Sequence, residues 1–160
     1  MVAVSGYTIF VADTRHATVF ELSQPGAPPR ALETLQNPFT ARHDRDLGAD
    51  APGSVVMRAA RGGGGAGSRR TSLQARRSHK QHAVEQFARQ LAERIAIAAR
   101  DGNSRGLVLV AAPRFLAEVR SHLPKSAQQH IVREVPRDLA GLPSLALQQR
   151  LAEALQPMHG

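Results

Sequence analysis

Leu107 to Ala111 reads LVLVA, five apolar residues in succession, with Pro113 close behind. Apolar side chains at both parities of a strand need cover on both faces of a sheet, so the run predicts a central strand buried on two sides. Pro113 suits the first turn of a helix, with Phe115, Leu116 and Val119 as its inward residues. Strand and helix then form a βα unit, whose crevice at the strand's C-terminal end commonly receives ligands in open α/β sheets. Arg114 falls near that crevice.

The segment before the strand is a helix by period. Val84, Phe87, Ala88, Leu91, Ile95 and Ala98 recur at i, i+3, i+4, i+7 spacing, which gives a helix with one buried face from about His79 to Arg100. Ser78 with Gln81 three residues later fits a capping box, and Asp101-Gly102-Asn103 supplies the stop. At the start of the chain, Tyr7 to Asp13 (YTIFVAD) and Ala17 to Leu22 (ATVFEL) are β-branched and aromatic runs separated by Thr14, Arg15 and His16, the pattern of a hairpin. The first strand carries Ile9 and Val11 on one face and Phe10 and Ala12 on the other, so both of its faces need cover. Gln24 to Arg30 is turn chemistry, and Ala31 to Gln36 follows as a third, edge strand.

Beyond the βα unit, His130 to Val135 (HIVREV) makes a final short strand. A terminal helix from about Pro143 to Leu155 has Leu142, Leu145, Leu147, Leu151 and Leu155 on its apolar side. Three helices and about five strands, opening with a hairpin and continuing as βα units, give an α/β fold with a mixed sheet. The 160 residues, 42% of them hydrophobic, suit one domain, 1–160, with a long Gly/Arg-rich loop at about 38–78. A connection of that length is either functional or disordered. Within it, Val55, Val56 and Met57 form a short apolar patch. Arg42 to Asp50 (RHDRDLGAD) alternates charge signs, reading as local ion pairs and turn caps rather than a calcium loop.

Charge is concentrated where period is lacking. Arg58 to Lys80 (RAARGGGGAGSRRTSLQARRSHK) holds no acid and seven cations: Arg58, Arg61, Arg69, Arg70, Arg76, Arg77 and Lys80. Of the 21 Lys and Arg in the chain this leaves 14 against 13 acids, so almost all of the formal +8 comes from one segment. Gly62, Gly63, Gly64 and Gly65, then Gly67, have no side chains to bury and cost backbone entropy to order, so a mobile surface loop is expected there. A cationic loop feeding a helix N-terminus favours an anion.

A pI near 11.4 points to a polyanionic partner, with nucleic acid or an anionic membrane surface as candidates. Aromatics are only 4%, too few for a base-stacking platform, so contacts would fall on phosphate. Other chemistries find little support. The chain has no cysteine, hence no disulfide, thiolate or Cys-based zinc site, and its seven histidines include no H-x-x-x-H pair. His79 and His82 share a helix face but lack further ligands. A two-metal nuclease would recruit Asp13 and Glu85, but the central strand offers no third carboxylate. No GxSxG elbow supports a serine hydrolase. No catalytic residue and no cofactor are expected. Without a signal-like N-terminus or a long apolar run the chain reads as cytoplasmic.

In order, VADTRHATVFEL, RDLGADAPG, a Gly-rich basic segment, HKQHAVEQFARQLAERI, LVLVAAPRFLAEVRSHL and REVPRDLAGLP resemble the bacterial family named for attachment to host cells. The likeness spans roughly Tyr7 to Leu151. Its most specific pieces are VAAPRFL at 110–116, Arg137-Asp138-Leu139, and Arg45-Asp46-Leu47 with Pro52-Gly53. That family is in turn similar to the middle domain of archaeal and eukaryotic class-1 peptide release factors, which implies a ribonuclease-H-like fold. In those factors a Gly-Gly-Gln loop before a long helix helps water hydrolyse peptidyl-tRNA. Here GGGGAG occupies the matching place without the glutamine, and Gln74 lies nine residues beyond Gly65. The resemblance therefore implies RNA or ribosome binding by a non-catalytic protein, with peptidyl-tRNA hydrolysis a lesser alternative. A role in host adhesion or polysaccharide export, through a protein or acidic glycan, is the alternative of another class.

Overall fold

A computed structural model describes residues 6–24, 27–39 and 66–155, with 66–72 as backbone only. The described residues fall into two compact units. One comprises those up to Gln36 together with those from Ala88 onward, and the other lies within Asn37–Phe87.

The first unit is built on a five-stranded mixed sheet. The elements are β1 (Tyr7–Ala12), β2 (His16–Leu22), β3 (Arg30–Gln36), β4 (Gly106–Val110) and β5 (Ile131–Val135), in the spatial order β3-β2-β1-β4-β5. β1, β2 and β3 form an antiparallel meander, whereas β1, β4 and β5 run parallel. The helices are α1 (Ala66–Asp101), α2 (Pro113–Ser121), α3 (Lys125–Gln128) and α4 (Ser144–Leu155). This is an α/β arrangement compatible with the ribonuclease-H-like fold that the resemblance implies.

The hairpin is fixed by its turn. Asp13 Oδ1 accepts hydrogen bonds from the backbone N–H groups of Arg15 and His16, each at 2.7 Å, while Asp13 N donates to His16 O at 2.9 Å. β4 is buried at all five positions, as its unbroken apolar run requires. Tyr7, Ile9 and Val11 of β1 and Val108 and Val110 of β4 pack with Val135, Leu139 and α4 residues Leu147, Leu151 and Leu155. The opposite parity, Phe10, Leu107 and Leu109, is equally buried. Leu91 and Ile95 of α1 and Phe115, Leu116 and Val119 of α2 are buried as well. An ion pair of 2.9 Å between Arg94 and Glu33 joins α1 to the edge strand β3.

Three sequence expectations change. The long helix begins at Ala66, not near His79, so Ser78 and Gln81 are interior and exposed rather than a capping box. Leu145 does not belong to the apolar side of α4, being 68% exposed, whereas Leu147, Leu151 and Leu155 are buried. A short helix, α3, brings the described helices to four. The stop at Gly102 stands: its φ of 63° is the left-handed conformation that ends helices and that glycine adopts without strain. The patch Val55 to Met57, the segment Arg42 to Asp50 and the order expected of Gly62 to Gly65 lie outside the described residues, while Gly67 is helical.

Candidate cationic helix face

The cations assigned to a loop by sequence pattern sit largely on a helix. At about 1.5 Å and 100° per residue, the 36 residues of α1 run about 54 Å. On that geometry positions 69, 70, 76, 77 and 80 share an arc of about 120°. Further along the same arc stand Phe87, Leu91 and Ile95, all buried. One face of one helix thus changes from cationic to apolar.

The change coincides with a change in exposure. Every residue from Leu73 to His82 is exposed, nearly three turns with no buried side, and regular burial starts at Ala83. Arg76, Arg77 and Lys80 belong to this stretch, and no ion pair among the described residues engages them. No acid occurs between Asp50 and Glu85, so the helix carries no carboxylate ahead of Glu85. Arg69 and Arg70 are placed by the helix backbone, one and two positions beyond Ser68. Arg58, Arg61 and Gly62 to Gly65 lie outside the described residues.

An exposed helix has no apolar period, which is why the start of α1 escapes a search for one. Its residues are nevertheless good helix formers, with Arg, Leu, Gln and Ala prominent. The available signal was the seven-residue repeat of paired cations, Arg69-Arg70 and Arg76-Arg77, with Lys80 four residues after Arg76. Asn37 was also missed. It is 1% exposed; its Nδ2 donates to Ala83 O at 3.2 Å and its Oδ1 accepts from Phe39 N at 3.0 Å, tying the end of β3 to the first buried residue of α1.

Chemically, a row of solvated guanidinium and ammonium groups binds phosphate or carboxylate and does not transform it. Among the described residues no three His, Asp or Glu side chains stand together as metal ligands. Asp13, one acid a nuclease would recruit, is held by the β1–β2 turn. An open groove of about 450 Å³ is floored by Ala92, Ala96, Ala99 and Ala127 and edged by His122 and His130. His122 faces Glu118 at 3.4 Å. No helix among the described residues is long and apolar enough to cross a membrane.

Residues 8–151 match the family model described as "Protein required for attachment to host cells". The chain belongs to this host-attachment family. No curated protein matches it. The matched region includes the cationic helix, the βα unit at β4 and the Arg137-Asp138-Leu139 piece, so the family covers the sheet and the exposed helix face together.

Proposed function

We propose that this member of the host-attachment family is a non-catalytic RNA-binding protein. The cations of α1, with Arg58, Arg61 and the glycines before it, contact RNA phosphates, and the ribosome is the favoured source of that RNA. The observation that carries the reading is the all-exposed stretch Leu73 to His82, with Arg76, Arg77 and Lys80 on one side and no acid within the stretch. Exposure on every side leaves the cations able to reach a partner, and a near absence of aromatics directs them to phosphate rather than bases. The likeness to the release-factor middle domain, with a long helix behind a glycine-rich segment, supports the same direction. Lack of a Gly-Gly-Gln glutamine argues against peptidyl-tRNA hydrolysis.

Co-sedimentation tests the proposal. The protein is expected in ribosomal fractions at low salt and released as salt rises, because each phosphate contact displaces counterions. Absence from those fractions at low salt contradicts it. The family's description favours a second reading, in which the same cations meet a protein or an acidic glycan during attachment. Affinity capture before and after nuclease digestion separates the two, since partners held through RNA are lost on digestion and protein or glycan partners are kept.

A further inference from the structure

The pieces VAAPRFL at 110–116 and Arg137-Asp138-Leu139 have no part in a phosphate-binding helix face, yet the sheet brings them to one end. β1, β4 and β5 are parallel, and Val11, Val110 and Val135 stand side by side in register. Two residues further along each strand come Asp13, Ala112 and Arg137. Neighbouring strands lie about 4.8 Å apart, so positions 13 and 137 flank position 112 across roughly 10 Å. The strand ends hold that register, with Ala111 N donating to Val135 O at 3.1 Å. The chain order also reverses here: β2 and β3 lie to one side of β1, β4 and β5 to the other. In open α/β sheets that reversal marks the crevice where ligands bind.

Two arginines stand at this end, one on a helix and one on a loop. Arg114 is the second residue of α2, and Arg137 follows β5. Both are exposed, and no ion pair among the described residues engages either. The neighbouring acids do not neutralise them. Asp13 is occupied by its turn and stands 3.2 Å from His16 Nδ1, while Asp138 takes part in no ion pair among the described residues. Two uncommitted cations therefore stand against one uncommitted carboxylate.

The loop bearing Arg137 is fixed before any ligand arrives. Arg137 N donates to Val135 O at 2.9 Å and Leu142 N to Leu139 O at 3.2 Å. Leu139 is buried in the core, and Ala140 O lies 3.2 Å from His16 Nε2. The backbone under Arg137 thus has little freedom left to lose on binding, and the guanidinium offers a planar fork matched to phosphate oxygens.

We infer that Arg114 and Arg137 form a binding site for the phosphate group of a small molecule at the C-terminal end of the parallel strands. The site is independent of the cationic face of α1. Titrating the full-length chain with sodium phosphate, with ionic strength held constant by chloride, tests it by amide chemical shifts. Saturable shifts are expected at residues 112–115 and 137–140. Arg114→Ala and Arg137→Ala should each weaken binding by roughly tenfold, the scale of a hydrogen bond to a charged group, and the double variant should abolish saturation. A variant of the other cations, R76A/R77A/K80A, should bind phosphate unchanged while binding RNA more weakly. A parallel titration with adenosine monophosphate separates carriers: tighter saturation at the same amides assigns a phosphate ester, and equal saturation assigns the bare anion. Linear shifts without saturation, or saturation surviving in a double variant whose spectrum stays dispersed, overturn the inference.

Discussion

Asn37 shows how much one side chain can decide. It is the buried polar residue among the described core, and both ends of its amide are used, toward Ala83 O and from Phe39 N. Asn37→Ala takes the acceptor from the part-buried Phe39 N–H and a second hydrogen bond from the Ala83 carbonyl, so chemical denaturation should show a loss of about 1–3 kcal/mol. Leucines of α4 give a contrast at constant chemistry. Leu151→Ala opens a cavity in the packed core and should cost about 2–5 kcal/mol, whereas Leu145→Ala, at an exposed position, should stay within about 0.5 kcal/mol. Gly6 makes a third case: its φ is 46°, and a methyl group there would run into the Leu22 carbonyl. Gly6→Ala should therefore destabilise the β1–β2 pairing, read as a lowered melting temperature. Of these residues the leucine spacing was visible in the sequence, but not which leucine faces water. Position 145 fits the leucine-rich run as well as 147 does, and only packing against β1 and β4 distinguishes them.

At the scale of elements, legibility followed burial. Strands β1, β2 and β4, the edge position of β3 and the inward face of α2 were readable because the core writes apolar residues at fixed parity or at helical spacing. The turns of α1 from Leu73 to His82 bury nothing, so no period marks them, and a plausible capping box at Ser78 drew the boundary too late. That difference should appear as uneven stability within one helix. Amides from Leu73 to His82 should exchange with solvent much faster than those from Phe87 to Ile95, because exposed helical hydrogen bonds open locally while the buried ones open with the core. Equal protection along the helix would show that the early turns are supported by contacts of their own. The cationic face was legible as a charge run, but its geometry was not. Only the helical course from Ala66 turns Arg69, Arg70, Arg76, Arg77 and Lys80 from a mobile string into neighbours on one arc.

For the whole molecule the governing fact is the separation of tasks. Outside the segment from Arg58 to Lys80 the chain carries 14 basic against 13 acidic residues, and seven of the formal +8 are gathered in that segment. If this segment binds RNA phosphates as proposed, affinity should fall steeply with salt and vary little with sequence. The most direct test is the salt dependence of binding to a single-stranded RNA, for the wild type and for a variant with Arg69, Arg70, Arg76 and Arg77 changed to Ala. Alanine favours helix, and these positions precede the buried face, so the variant should fold with nearly unchanged stability. With all seven cations engaged, the log–log slope approaches about −5, at roughly −0.7 per phosphate contact. The variant should bind every RNA more weakly, with a slope flattened by roughly half. Unaltered affinity and slope in the variant would contradict the account and pass the cationic face to a protein or glycan partner.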